Sequence, residues 1–245
     1  MTDDTVPLHG PASPAPFGAA MEAAVCVIVF GNRRHGLAAP NTAANKRKQT
    51  SMDEHFWDEL HSGHTGWSGN ANPVLVQQVS ALIPGRALDV GCGQGDDARW
   101  LAQRGWTVTA SDISSVALER AASLTGDESV TWVHADHLTV APPPQSYDLV
   151  AMHFFAIPKV GGAGAVAGLA EAVAPGGVLL VVQHPAEGAA TWRGIDPHDF
   201  LQPHDIAGML GDGWRIEIDE IRGRTTAPPE GSHHTHDAIL RARRR

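Results

Sequence analysis

The sequence predicts an α/β fold built on a doubly wound, mostly parallel seven-stranded sheet with an antiparallel hairpin at one edge. Several short runs, such as residues 178–182, are continuously apolar, which is typical of strands covered on both faces. From residue 52 onwards these runs alternate with helical patterns, which is the order of right-handed βαβ units. The runs at 214–221 and 236–243 have no helix between them, so we expect them to pair antiparallel at a sheet edge.

Local signals set the boundaries of the individual elements. Asn72 followed by Pro73 is a favourable helix start, because the asparagine caps the helix and proline suits its first turn. The Pro-Gly-Gly turn at 175–177 is expected to end one helix and to start the next strand. The predicted helices span 53–61, 73–83, 96–104, 115–124, 162–173 and 203–210, and the predicted strands span 86–91, 107–111, 130–134, 147–153, 178–182, 214–221 and 236–243.

Composition limits the function classes. The 245 residues carry a formal net charge of −9, so we do not expect a nucleic-acid partner. With two cysteines and no Cys-x-x-Cys pattern, the sequence argues against a disulfide framework and favours the reducing cytoplasm. The tight histidine group at 233, 234 and 236 lies on a predicted edge or loop, and we expect no metal site there.

Residues 1–51 differ from the rest of the chain. They are rich in proline and alanine, and their apolar segment at 23–30 is too short to span a bilayer. We therefore expect a disordered N-terminal arm, a folded domain at 52–245 and no membrane partner. Because the domain pattern begins directly after Met52, we also hypothesise that Met52 is the natural start. The oligomeric state is expected to be a monomer or a homodimer.

The most informative stretch is the glycine loop that follows the first predicted strand, residues 91–95. A dinucleotide fingerprint that starts at Gly91 would need its third glycine at position 96, where Asp96 stands. An acid at a helix N-terminus also opposes a pyrophosphate. The loop therefore favours a cofactor without phosphate, such as a nucleoside with a cationic, amino-acid-like tail. A nicotinamide-dependent oxidoreductase is the alternative in another enzyme class.

Acids follow the first three predicted strands, where ligands bind in a doubly wound sheet. Asp112 is placed to accept both hydroxyls of a ribose, unless it only caps the next helix, a role that Ser114 fills equally well. Asp136 is placed to meet an adenine amino group. Asp89 either holds the amides of the glycine loop or presents a negative environment to a cationic ligand, and we expect it to do both.

These residues resemble the class I S-adenosylmethionine-dependent methyltransferases. Residues 89–95 match the first motif of that family, and 147–150 and 174–177 resemble its fourth strand and the turn before its fifth. The segments 57–70 and 237–243 are similar to the small bacterial branch near the tellurite-resistance and thiopurine enzymes. The resemblance covers 52–245 and implies a Rossmann-like sheet, S-adenosylmethionine (SAM) as cofactor, and a lid formed by Trp57 and Trp67. Both tryptophans are otherwise core or surface anchors. The resemblance and the strand ends together assign to the cofactor site Trp57, Trp67, Asp89, Gly91, Cys92, Gly93, Gly95, Asp112, Ile113, Ala135, Asp136, His137 and Met152.

The expected acceptor is a small molecule that is methylated on oxygen, sulfur, nitrogen or a metalloid. A general base helps only where the acceptor must lose a proton, and the candidates are His153 and His184, which end two neighbouring predicted strands. Either histidine could instead bond only to backbone. An apolar acceptor pocket is expected from Phe154, Phe155, Ile157 and Trp192. Residues 152–155 lack the Asn-Pro-Pro-Tyr pattern of nucleic-acid methyltransferases, and a non-catalytic SAM-binding module stays open as a further alternative.

Overall fold

Strands and helices alternate through the part of the chain that the computed structural model describes, which is residues 52–63, 69–124, 130–187, 189, 191, 193–224 and 235–245. The strands are β1 (Arg86–Val90), β2 (Thr107–Asp112), β3 (Val130–His134), β4 (Tyr147–His153), β5 (Val173–Gln183), β6 (Trp214–Gly223) and β7 (His236–Arg244). The helices are α1 (Glu54–Gly63), α2 (Pro73–Val79), α3 (Asp96–Ala102), α4 (Ser115–Ser123), α5 (Ala163–Ala172) and α6 (Pro203–Met209), and a 3-10 turn spans Pro197–Asp199.

The strands form one seven-stranded sheet in the order β3-β2-β1-β4-β5-β7-β6. Strands β1 to β5 are parallel, and β7 runs antiparallel between β5 and β6, so the predicted fold class and the edge hairpin are confirmed. Val90 at the end of β1 pairs with Ser111 on one side and with Met152 on the other. The carboxyl ends of these strands therefore meet at one edge, where the strand order reverses.

The two faces of the sheet bury separate apolar clusters. Ala87 of β1 belongs to the cluster that includes Leu75 of α2 and Leu101 of α3, whereas Leu88 belongs to the cluster that includes Leu169 of α5. Because side chains alternate along a strand, Asp89 lies on the α2/α3 face together with Ala87. Burial of each of these leucines stabilises the folded chain by about 1.5–3 kcal/mol. Packing in these two clusters fixes the positions of the strand ends that form the site.

Two element boundaries differ from the sequence prediction by more than two residues. Helix α2 ends at Val79 instead of continuing to residue 83, because Leu82 N turns back to the Val79 carbonyl and Pro84 disfavours helical backbone in the residue before it. Strand β5 begins at Val173, before the Pro-Gly-Gly turn, and its pairing with β4 shifts register there. Gly176 absorbs this irregularity with a left-handed φ of 78°.

Some sequence predictions fall on residues outside the described part of the chain. These are the N-terminal arm at 1–51, the histidines at 233 and 234, Trp67 and Trp192. The boundary between residues 51 and 52 therefore stays a prediction. Among the described helices, not one combines the length and the apolar character needed to cross a membrane.

Candidate active site

The three loop glycines adopt left-handed backbone conformations for different reasons. Gly91, Gly93 and Gly95 have φ values of 68°, 52° and 78°. A Cβ on Gly91 would lie 3.0 Å from Phe155 Cδ2, and one on Gly95 would overlap the indole of Trp132, so both positions exclude side chains for packing reasons. A Cβ on Gly93 would meet only His61 Cε1, at 3.6 Å. The backbone of Gly93 is therefore the part of the loop that a ligand can approach closely.

Asp112 braces this loop from the end of β2. Its Oδ2 accepts a hydrogen bond of 2.8 Å from Gly93 N, and its Oδ1 accepts one of 2.8 Å from Ser114 N. Helix α4 is capped by Ser114, whose Oγ accepts from Ala117 N, so Asp112 is not the cap. Each carboxylate oxygen has a second acceptor position, which is what a ribose hydroxyl requires. The proposed ribose contact is compatible with the brace.

Asp136 lies in a tight turn after β3. Its Oδ1 accepts from Leu138 N at 2.9 Å and its Oδ2 from Thr139 Oγ1 at 3.1 Å. Ala135 N donates to the Asp112 carbonyl at 3.0 Å, which ties the ends of β2 and β3 together. Buried His137 bonds through Nδ1 to the Val140 carbonyl at 2.8 Å. The carboxylate is thus oriented by its own turn, and its contact with an adenine amino group stays a prediction.

Helix α1 is fastened to the start of α4. Asp58 of α1 accepts hydrogen bonds from Ser114 Oγ at 2.6 Å and from Val116 N at 3.2 Å. Burial raises the pKa of Asp58, but these hydrogen bonds outweigh burial and hold the pKa below its usual value. Arg120 of α4 donates to the His61 carbonyl. Because His61 also faces Gly93, α1 lies beside the glycine loop, with Trp57 half-buried on it.

A buried polar cluster of Asp89, Asp97 and His153 lies on the α2/α3 face, next to the glycine loop. His153 Nδ1 donates a 2.6 Å hydrogen bond to Asp97 Oδ2, and Asp97 Oδ1 accepts one of 2.6 Å from Asn72 N. Asp89 and His153 are 2% and 9% exposed. Within the described residues, Asp89 Oδ2 and His153 Nε2 find no hydrogen-bond partner. One carboxylate oxygen or imidazole nitrogen from each of the three residues lies within 4.8 Å of the corresponding atoms of the other two.

Electrostatics in this cluster favour a cationic neighbour. Burial raises the pKa of Asp89 to about 8, and the charges of Asp97 and Asp112 add to the rise. Burial lowers the pKa of His153, but the charge and hydrogen bond of Asp97 outweigh burial and raise the pKa above its ordinary 6.5. The Asp89 shift is thus mainly an effect of burial, whereas the His153 shift reflects its carboxylate partner Asp97.

A second aromatic and polar group follows β4 and β5. The His184 ring stacks on Phe154 with centroids 4.2 Å apart, and Phe154 has an unusual φ of 58°. Arg224 Nη2 lies 3.2 Å from His184 Nδ1 and 2.8 Å from Asp237 Oδ1. Since a guanidinium only donates, His184 Nδ1 is the acceptor, and the proton of a neutral His184 lies on Nε2.

Comparison with known proteins identifies the family. A methyltransferase-domain model matches residues 87–177. An uncharacterized methyltransferase of Mycobacterium tuberculosis is 36% identical over 120 residues, which are 46% of this chain and 59% of that protein. Thiocyanate methyltransferase 1 of Brassica oleracea is 33% identical over 168 residues, 64% of this chain and 70% of that protein. The chain belongs to the class I S-adenosylmethionine-dependent methyltransferases.

A solved structure supports the fold of this methyltransferase. A SAM-dependent methyltransferase from Aquifex aeolicus superposes with a TM-score of 0.57 at 17% identity, covering 80% of this chain and all of that chain. At this identity the likeness concerns the fold alone. The chain spans 59% of the length of the mycobacterial relative, so the activity and acceptor of the whole protein are proposals.

The methyltransferase fold brings most of the expected residues to one edge of the sheet. Asp89, the loop residues 91–95, Asp112, Ile113, Ala135, Asp136 and His137 lie at the ends of β1, β2 and β3. Met152 lies in β4 but packs into the apolar cluster with Leu169, on the face opposite to Asp89. Trp67 lies outside the described residues. The roles assigned to these residues stay predictions.

Sequence reasoning about this methyltransferase missed Asp97 and Arg224. Asp97 is the second residue after the glycine loop, and the local pattern assigns a role only to its neighbour Asp96. The partner of Asp97, His153, is 56 residues away along the chain. Arg224 gave no local signal, because its role arises only when the β6–β7 hairpin reaches the end of β5. The two base candidates differ in the hydrogen-bonding roles of their Nδ1 atoms, and the assignment of a general base stays a prediction.

Proposed function

We propose that this chain transfers a methyl group from SAM to a small-molecule acceptor. The observation that carries the proposal is the glycine loop, in which Gly93 alone is open to a ligand and its N–H is fixed by Asp112. Family membership supplies the reaction class. The thiocyanate methyltransferase relative carries a small-molecule acceptor in its name, which favours a small acceptor here as well.

The residues present fit SAM. Gly93 offers an approach that a Cβ would fill, and the half-buried acid Asp96 in the first turn of α3 opposes a phosphate-bearing alternative such as NAD. Asp89 Oδ2, which is buried and has no hydrogen-bond partner among the described residues, would accept a hydrogen bond from a cationic amino group. Asp112 would hold the ribose, Asp136 the adenine amino group, and Trp57 of α1 would cover the ligand. When bound, SAM supplies an electrophilic methyl group.

The chain contributes to the reaction by positioning the acceptor, by limiting water at the site and by placing charged groups around it. Holding the acceptor atom close to and in line with the methyl carbon supplies on the order of 7–11 kcal/mol of the barrier. The α1 helix, fastened by Asp58 and Arg120, limits water at the loop. The exposed ring of Phe154, stacked on His184, provides an apolar surface at the ends of β4 and β5 where the acceptor is expected.

Calorimetric titration tests this proposal. We expect the full chain to bind SAM and S-adenosylhomocysteine in the micromolar range and not to bind NAD. Asp112→Ala should weaken SAM binding by about 1.5–3 kcal/mol, since charge-assisted hydrogen bonds are lost. Gly93→Val should abolish binding, whereas Gly164→Val, at a site with no neighbour within 4 Å on α5, is the matched control.

Two outcomes contradict the proposal. Binding of NAD alone would restore the oxidoreductase alternative. Binding of SAM with no S-adenosylhomocysteine formed across a broad panel of hydroxyl, thiol, amine and halide acceptors would favour the non-catalytic module.

The remaining parts of the proposal concern location and assembly. We propose a cytoplasmic protein, because the sequence has two cysteines and no disulfide pattern. The acidic net charge favours a protein without a nucleic-acid partner, and we propose a monomer or homodimer. Cell fractionation and light scattering of the purified chain, with and without added RNA, check these expectations.

A further inference from the structure

We propose that Asp97 is a positioning residue, which orients His153 so that Nε2 takes a proton from an acceptor bearing an O–H or S–H group. The inference rests on the proposed methyl transfer and deepens it by naming the acceptor class. Acceptors that are already anions need no general base, so the inference distinguishes this chain from enzymes that methylate such acceptors.

The geometry fixes the direction of the proton transfer. Both oxygens of Asp97 are held, Oδ1 by Asn72 N and Oδ2 by His153 Nδ1, each at 2.6 Å. A carboxylate only accepts, so Nδ1 carries a hydrogen and the lone pair of neutral His153 lies on Nε2. Within the described part of the chain, this buried Nε2 has no hydrogen-bond partner. An oriented base with an unoccupied lone pair results.

The charges around His153 support its protonated form. Burial lowers the pKa of His153, but the charge and the hydrogen bond of Asp97 of α3 outweigh burial and raise the pKa. Asp237 of β7, which is paired with Arg224, adds a smaller contribution, and Asp89 of β1 adds one where it is ionised, above its own pKa of about 8. The imidazolium formed during the reaction is therefore stabilised where it forms.

The proposed step balances in protons and electrons. The acceptor O–H or S–H proton moves to His153 Nε2, and the acceptor electron pair forms the new bond to the methyl carbon. The S–CH₃ bond breaks, and its electron pair stays on sulfur, which becomes a neutral thioether. His153 ends as an imidazolium paired with Asp97, and it returns the proton to water when product leaves.

His184 is not equivalent to His153 in this respect. Its Nδ1 accepts from Arg224, so a neutral His184 presents an N–H at Nε2. It is suited to donate a hydrogen bond to an acceptor and not to remove its proton.

The test compares Asp97→Asn with Asp96→Asn. Asp96 lies next to Asp97 in the first turn of α3, is paired with Arg99, and makes no hydrogen bond to the cluster. Both variants remove one negative charge from the same turn, and the asparagine at 97 still accepts from Asn72 N. We expect Asp97→Asn to lower the pKa of His153, measured by ¹⁵N NMR of the imidazole, and Asp96→Asn to leave it within a few tenths.

Turnover gives the second readout. With catechol and 2-mercaptoethanol as protic probes, we expect Asp97→Asn to lower the plateau of kcat/KM by roughly 10–10³-fold, a part of what a general base supplies. The acidic limb of the pH profile of kcat/KM should move to lower pH, because the pKa of His153 is lowered. Iodide and thiocyanate, which are already anions, should show no such dependence on Asp97. Affinity for S-adenosylhomocysteine is measured in the wild type and in both variants, so that a loss of cofactor binding is distinguished from a loss of proton transfer.

Several results overturn the inference, and each is distinct from failure of the proposed function. An unchanged pKa of His153 in Asp97→Asn, a proton on Nε2 in the neutral wild-type ring, or anionic probes that are equally sensitive to Asp97 would each do so. Zn²⁺ that binds and shifts the His153 signals would assign the cluster to a metal instead. Failure of the wild-type chain to bind S-adenosylhomocysteine would instead contradict the proposed function itself.

Discussion

His153 at the end of β4 and His184 directly after β5 have opposite hydrogen-bonding roles. His153 donates from Nδ1 to a carboxylate, Asp97, whereas His184 accepts at Nδ1 from a guanidinium, Arg224. The chemistry of the partner therefore decides which nitrogen of the neutral ring carries the lone pair. Two residues of the same type at corresponding strand ends are thus suited to different tasks.

Replacing each histidine with glutamine tests most directly whether the two residues have different roles. We expect His153→Gln to lower kcat for a protic acceptor by roughly 10²–10⁴-fold, because the base is lost. His184→Gln keeps a donor and should change kcat less than about tenfold, with the larger effect on KM. Steady-state kinetics with catechol at pH 8 measure both. Equal losses of kcat in the two variants would contradict the assignment of different roles.

The ion pair beneath His184 is expected to matter for stability. Arg224 and Asp237 have side chains that are only 14% and 10% exposed. Replacing Arg224 by methionine leaves the Asp237 carboxylate buried without its partner, which should cost about 3–5 kcal/mol of unfolding free energy. Urea denaturation measures this cost. The matched control is Arg222→Met, at the more exposed pair with Glu220, where a loss below about 1 kcal/mol is expected.

The cluster around His153 should make stability fall as pH rises. Asp89 has a pKa of about 8 in the fold against 3.8 when unfolded, so between these values the folded chain binds one proton more than the unfolded chain. The raised pKa of His153 acts in the same direction, since its contribution is full below pH 6.5 and is lost as pH rises through the folded pKa. Each such proton changes stability by up to about 1.4 kcal/mol per pH unit.

Asp89→Asn should flatten this dependence. Urea unfolding of both chains at pH 5, 6, 7 and 8 is the measurement, and the variant should gain relative stability towards pH 8. A variant whose stability runs parallel to that of the wild type across this range would show that Asp89 is ionised in the fold.

The sequence predicted the sheet and the glycine loop because both depend on short-range patterns. Continuous apolar runs such as 147–153 specify covered strands, and the spacing of Gly91, Gly93 and Gly95 specifies the turn that follows β1. The pair of Asp97 with His153 and the pair of Arg224 with His184 could not be predicted in this way. Their members are 56 and 40 residues apart and meet only when α3 and the edge hairpin pack at the strand ends.

Strand β5 illustrates the same limit at an element boundary. The Pro-Gly-Gly turn at 175–177 has the local signature of a break, and on that ground we expected the strand to begin at residue 178. Pairing of Val173 with Tyr147 on the neighbouring strand extends β5 across the turn instead. A contact made between strands outweighed the local turn preference.

The position of the proton on the two histidines is the central claim, and ¹⁵N NMR of the uniformly labelled full chain measures it directly. Spectra would be recorded from pH 6 to pH 9, with and without S-adenosylhomocysteine, and assigned with the two glutamine variants. We predict that neutral His153 carries its proton on Nδ1 and neutral His184 carries its proton on Nε2. The same tautomer on both rings would contradict the account.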